Sequence, residues 1–349
     1  MNKLIWVFFL STIVISCNKN KTYNTLSNDQ INKEAILFDD SNFNNTMKLK
    51  SIELSDISDS LIFSGTLVAT KNYLLINEIK TDKFIHIIKL PEERYLGKYG
   101  NKGKGPGEII RAWPFSKSEE GNLIILDQRQ KKIVEINPDS LIINNSFEKE
   151  YHLSPSIECD GVSINNNKIF FLNVGDTTSR LFETNLKGHN LKGYGKLPQL
   201  SYSSKNIEFL NQIYWSDMDY KKSLFGISYR FMPLLQIFNK EKNKWTTLIG
   251  PENFMPSEQN YRKRTFYNMI KITSNYIYAL YNGKNMDKKD WQDANVIYVF
   301  NFEGKFIKKL ILDRGIRNFE VFEDKFIYGL GGEVLGTRLL KFDILKGKR

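Results

Sequence analysis

The sequence predicts an all-β fold, a six-bladed β-propeller with four-stranded antiparallel blades. Three observations predict it. Helical periodicity is scarce; short runs of Ile, Leu, Phe and Tyr alternate instead with Gly, Asn, Asp and Lys, the pattern of short strands joined by turns. Six similar runs recur about 50 residues apart: YLLIN from Tyr73, LIILD from Leu123, IFFLN from Ile169, LFGIS from Leu224, YIYAL from Tyr276 and FIYGL from Phe326. Each is followed by a second apolar run, and five of these end at Asn137, Asn185, Asn239, Asn301 or Asp343, where an Asx side chain can cap a turn. A small sheet repeated with this period cannot bury both faces alone, so its copies must stack around an axis.

The chain starts differently. Lys3 precedes a short apolar run, LIWVFFLSTIVI, too short for a spanning helix of about 20 residues and suited to a secretory signal. Val14-Ile15-Ser16-Cys17 resembles the bacterial lipobox, which implies cleavage before Cys17 and a lipid on its sulfur. The expected organisation is a signal peptide over 1–16, a lipidated cysteine with a polar, Asn-rich tether over 17–46, and the propeller over 47–349. With Cys17 acylated, Cys159 has no disulfide partner, so the exported domain must rest on its own core.

The last unit lacks residues for an outer strand, since only LKGKR follows Ile344. Met47 to Leu54, MKLKSIEL, alternates apolar with polar and is expected to supply that strand to the sixth blade, removing two exposed edges. Pairing within the first blade is the alternative. Glu258 to Phe266 is the clearest helix-period segment.

The stretch GNKGKGPGE, residues 100–108, looks at first like a phosphate loop. A Walker loop needs glycine at 98, where lysine stands, and Ser or Thr after Gly103-Lys104, where Gly105 stands. Glu108 replaces the third glycine of a dinucleotide fingerprint, and Pro114 forbids a following helix. The stretch therefore reads as a crossing between blades, bent by glycine and Pro106.

GKYGNKGKGPGEI, then LIILDQRQKKIVEIN, and near the end YIYALYNGK with NVIYVFNFEGKFIKKLIL, resemble the TolB-like six-bladed propeller lipoproteins of Bacteroidetes over about residues 47 to 343. The resemblance implies fold and envelope location, not an activity. Unit three departs from it, with GYGKLP in place of the GPGE loop. The NKNK that follows Cys17 has no acidic cluster of the kind associated with surface export, so the resemblance implies a periplasm-facing outer-membrane anchor.

The net charge of +11 comes from scattered lysines, which read as solvated surface. It admits anionic lipid, acidic glycan or acidic protein as partners; nucleic acid is not expected in that compartment. His86, His152 and His189 lie in different units without metal-ligand spacing, and no GxSxG elbow occurs. No metal or cofactor is expected. Asp217 and Asp219, in YWSDMDYKK, read as a solvated turn rather than a calcium site. Residues at the ends of inner strands face the channel of a propeller, so Arg111, Trp113, Tyr229, Arg230, Arg262, Arg264 and Tyr281 are candidate ligand contacts. Arg and Tyr suit acidic sugars or carboxylate peptides. Trp291, in the long polar loop NGKNMDKKDWQDA, is either an exposed contact or a plug folded back on the ring.

The expected protein is a monomeric, lipid-anchored binding or scaffold module. A propeller enzyme, a glycan lyase or hydrolase, is the alternative and requires converging acids or a Tyr/His pair at the channel mouth. A purely structural envelope component is a third reading. Cys17→Ala should move the protein from the membrane to the soluble fraction of lysed cells. An unchanged distribution refutes lipid anchoring.

Overall fold

The structure is a computed structural model. It describes residues 35–348 except 63, 79, 155–158, 160, 174–177, 199–203, 255 and 333–335. The expected signal segment and Cys17 lie outside the described residues.

Six antiparallel sheets follow one another around an axis. From innermost strand outward, the first blade comprises Ser64–Ala69, Tyr73–Glu78, Lys83–Lys89 and Arg94–Asn101. The second comprises Ala112–Lys117, Leu123–Asp127, Lys132–Ile136 and Lys149–His152, and the third Gly161–Asn165, Lys168–Leu172, Leu181–Asn185 and Lys192–Tyr194. The fourth has Ser216–Lys221, Leu224–Tyr229, Leu234–Asn239 and Lys244–Ile249; the fifth has Tyr267–Ile272, Ile277–Tyr281, Ala294–Phe300 and Phe306–Ile316. Asn318–Phe322, Phe326–Gly331 and Arg338–Asp343 begin the sixth.

The six repeated runs are the second strands. A second strand has blades on both faces, so both of its side-chain sets are buried; LIILD is buried throughout. Outer strands face solvent, and RYLGKYGN is mostly half-buried. Six apolar clusters fill the six junctions between blades. The last joins Leu67, Leu74 and Ile76 of the first blade to Tyr328, Leu330 and Leu339 of the sixth, which closes the ring. The packing leaves no room at some positions. A Cβ on Gly329 would stand 2.7 Å from Cγ2 of Ile316.

All five Asx residues cap as expected. Asn185 Oδ1 accepts from the N–H groups of Lys187 and His189 at 3.0 and 2.9 Å, and Asn301 Oδ1 from Glu303 and Lys305 at 3.0 and 2.8 Å. Asn239 caps Lys242, and Asp343 caps Leu345 and Lys346. Asn137 differs in what it caps. Its side chain takes the N–H groups of Asp139 and Ser140, and with Pro138 in the first turn it starts the helix Pro138–Asn144 rather than a simple turn. The helix-period segment at 258–266 supplies only a 3-10 turn, Tyr261–Lys263.

The glycine-rich stretch crosses from the first blade to the second. Gly105 N–H donates to Glu108 Oε2 and Gly107 N–H to Glu150 Oε2, both at 2.9 Å, while Asp127 Oδ2 accepts from Ile110 N–H at 2.6 Å. Carboxylates thus fill the loop where a phosphate would need amide donors. Gly107 has φ +70°, and a Cβ there would lie 2.0 Å from the Phe147 ring.

Ring closure differs in detail from expectation. Met47 to Leu54 divides between two blades. Ser51–Glu53 pairs antiparallel with the third strand of the sixth blade as its outer strand, with Glu53 opposite Leu340. Thr46–Leu49 instead adds a fifth, parallel strand to the fifth blade, with Met47 opposite Leu310. One continuous segment therefore clamps two neighbouring blades. The expected tether to residue 46 is also shorter. Ile36–Leu37 runs parallel to the outer strand of the fourth blade, and Phe38 and Phe43 are buried among Tyr298, Phe300 and Phe306. Asp40 accepts from the Tyr298 hydroxyl at 2.6 Å and pairs with Lys309 at 2.7 Å. Two aromatic side chains buried in a ring junction outweigh the chain entropy that a polar linker would keep.

Phe43→Ala should therefore destabilise the propeller by about 3 kcal/mol, read as a lower denaturation midpoint in urea. Deleting residues before 35 should leave that midpoint unchanged. Equal midpoints for Phe43→Ala and wild type would refute the lacing role.

Candidate functional site

The six inner strands line the channel and all start at the same mouth. There a cavity of about 260 Å³ opens, lined among others by Trp113, Trp215, Asp217, Arg230, Lys271 and Gln292. At the other mouth a second cavity, about 510 Å³, is lined by Lys71, Lys117, Glu119, Lys221, Asn275 and Asp324.

An inner strand has a partner on one side only, so side chains of the adjacent blade must satisfy its free edge. Asn318 Nδ2 donates to the Gly65 carbonyl, Lys117 Nζ to the Ala69 carbonyl at 2.9 Å, and Ser116 Oγ to the Val162 carbonyl at 2.7 Å. Asp217 Oδ2 accepts from Ile270 N–H at 3.1 Å and Asp219 Oδ2 from Ile272 N–H at 2.6 Å. These two aspartates are therefore not in a solvated turn. They belong to the inner strand Ser216–Lys221, two residues apart and so on one face, turned to the channel.

Charge converges there. Glu320 pairs with Lys117 at 3.3 Å through Oε1 and with Lys271 at 3.4 Å through Oε2. Lys271 lines the first cavity and Lys117 the second, so this bridge stands between them. Burial pushes the Asp217 carboxyl up to about 6, against the pull of Lys271. Burial likewise raises Asp219, with Glu320 adding repulsion. Burial works in the same direction on Glu320, but Lys117 and Lys271 outweigh it and hold that carboxylate low. Among the described residues, no three His, Cys, Asp or Glu side chains are grouped to hold a metal ion.

Arg230 sits at the rim. Its N–H donates to the Trp215 carbonyl at 2.9 Å, and its guanidinium lies 5.3 Å from the Trp215 ring centroid and 5.4 Å from that of Trp291. Burial brings its pKa down to about 10, so it stays charged at neutral pH. Among the described residues no carboxylate pairs with it. Behind the cavity wall, fully buried Arg180 donates to Ser216 Oγ, with its Nε and Nη1 unsatisfied, and lies over the Tyr229 ring at 4.7 Å. Arg317 also lines the cavity.

The structure divides the residues expected from sequence. Trp113 and Arg230 line the cavity, and Trp291 folds back over the ring against Arg230. Tyr229 does not face the channel. It is the last residue of the second strand of the fourth blade, both of whose faces meet other blades, and it is buried there with its hydroxyl donating to Gln236 Oε1 at 2.6 Å; Arg230, just past the end of that strand, lines the cavity. Arg111 is exposed outside the cavity. Arg262 is exposed and paired with Glu208 at 2.5 Å. Arg264 and Tyr281 share Glu252 as partner, with the Tyr281 hydroxyl donating to it at 2.7 Å, which ties a loop rather than a ligand. His86, with Nδ1 3.0 Å from the Tyr95 hydroxyl, is buried inside the first blade, away from the mouths. Sequence reading passed over Trp215, Lys271 and Glu320 and took Asp217 and Asp219 for a solvated turn. The available signal was the alternation S-D-M-D-Y-K just before the turn that leads into LFGIS.

Comparisons with known proteins agree with this architecture. No curated protein matches the sequence. A Bacteroides fragilis protein provisionally described as exported superposes with a TM-score of 0.56 at 12% identity, covering 90% of this chain and 99% of its own. A luciferin-regenerating enzyme superposes at 0.50 and 6% identity, over 86% and 97% of the two chains. Virginiamycin B lyase from Staphylococcus aureus reaches 0.46 at 12% identity, over 85% and 99%. The likeness to the first two shows a shared fold. The sequence pattern described as TolB-like 6-blade propeller-like matches residues 41–324, and the chain belongs to that family.

Proposed function

We propose that this protein is a lipid-anchored binding module of the bacterial cell envelope that takes an anionic group of a glycan, peptide or protein partner at the Arg230 mouth. One observation carries the reading: a charged guanidinium held between two tryptophan rings, in a cavity wall, with no carboxylate partner among the described residues. The two cation–π contacts hold the guanidinium at the cavity wall, and its N–H fork can take a carboxylate bidentately. The tryptophans offer flat faces to a sugar or peptide backbone, and Arg180 and Arg317 add positive potential at the same mouth. The lipid anchor and the periplasm-facing orientation rest on the sequence around Cys17.

A second reading, a lyase or hydrolase at the same mouth, is favoured by the paired acids. With its carboxyl pushed up to about 6, Asp217 can hold a proton near neutrality beside ionised neighbours. Product release from uronate oligosaccharides, lost in Asp217→Asn, would select it.

For the binding reading, the test is titration of wild type and variants with oligogalacturonates and with peptides ending in a free carboxylate. Arg230→Ala should weaken binding at least tenfold, from loss of a charged hydrogen bond of about 1.5–3 kcal/mol. Arg230→Lys should recover only part, because an ammonium lacks the fork. Unchanged affinity in a folded Arg230→Ala protein overturns the proposal.

A further inference from the structure

Beyond an anionic group, the same cavity carries a second requirement, which rests on the binding reading above. Its floor is made by Asp217 and Asp219, from the strand that begins at the rim. Arg230 N–H is bonded to Trp215 O, so Arg230 marks the level of Trp215 on the channel axis. At about 3.3 Å per residue, Asp217 lies roughly 7 Å deeper and Asp219 roughly 13 Å deeper. The cavity thus holds an unpaired cation at its rim and acids at its floor.

The floor is also short of positive charge. Lys117 and Lys271 face Glu320, Asp217 and Asp219, two cations against three carboxylates. Each aspartate has one oxygen engaged by a backbone N–H of the next blade. Two sources can supply the missing charge: a proton on an aspartate, or a cation brought by a ligand.

We infer that the ligand is a small zwitterion, its carboxylate on Arg230 and its ammonium toward Asp217 and Asp219. The spacing suits it. Two residues of extended chain span roughly 7 Å, so the termini of a dipeptide match the separation of rim and floor. An amino sugar joined to a uronate offers the same two charges.

Isothermal titration calorimetry of the full mature chain tests this with named probes: glycylglycine, its N-acetyl form, its C-terminal amide, and a glucosamine–uronate disaccharide with and without N-acetylation. At least tenfold tighter binding of a free-amine form than of its acetylated form is expected. The peptide and sugar arms identify the source of the zwitterion. An ammonium that displaces the Asp217 proton should release protons near pH 6, seen as a dependence of heat on the buffer's ionisation enthalpy. Affinity should then rise with pH through that region. Asp217→Asn should remove both the proton release and the free-amine preference. Should that variant not fold, the acetylation comparison on wild type still decides. Equal binding of free and acetylated forms, with Arg230 still required, overturns the zwitterion and leaves the anion site standing. Binding that ignores the carboxylate and Arg230 overturns the anion reading beneath it.

Discussion

The open inner edges of the six strands around the axis constrain everything else in this molecule. Each edge carries backbone N–H and C=O groups with no strand to receive them. The neighbouring blade must therefore send polar side chains inward. Asn318, Lys117, Ser116, Asp217 and Asp219 meet that need. Once lysines and carboxylates have been placed there as structural partners, the channel has a charge pattern, and that pattern selects what it can bind. Structure and recognition share the same side chains here.

Legibility followed burial. The second strands were plain in the sequence because both of their faces meet another blade, so LIILD and YLLIN read as unbroken apolar runs. The Asx caps were plain because a side-chain acceptor two to four residues before a free N–H is a local fact. Inner strands were hidden, since their polar faces imitate turns; SDMDYK is the clearest case. Of the residues chosen for their place near strand ends, Arg230 and Trp113 line the cavity, whereas Tyr229 belongs to a second strand and is buried between blades. Arg262, Arg264 and Tyr281 found carboxylate partners, Glu208 and Glu252, more than ten residues away in sequence, beyond the reach of any local pattern.

The partition of the N-terminal segment has the same origin. MKLKSIEL was read as one strand because its alternation is continuous. The chain crosses at Lys50 between two sheets: Leu49 is buried in the junction of the fifth and sixth blades and Leu54 packs against that of the sixth and first, while Ile52 between them is exposed. Ser51 N–H donates to Asp313 Oδ1 and Arg314 Nε donates to the Ser51 hydroxyl, which holds the crossing in place. Phe38 and Phe43 extend the same logic to the fourth and fifth blades.

That arrangement has a temporal consequence. A ribosome delivers residues 36 to 53 before any blade exists, yet their strand partners, Leu248, Leu310 and Leu340, come more than two hundred residues later. The leading end must wait unpaired while the ring is threaded into being, and the last strand made, Arg338–Asp343, receives one of the first. A stalled or shortened polypeptide that lacks Arg338–Asp343 leaves the sheet margins of Ser51–Glu53 and of Phe326–Gly331 unshielded together.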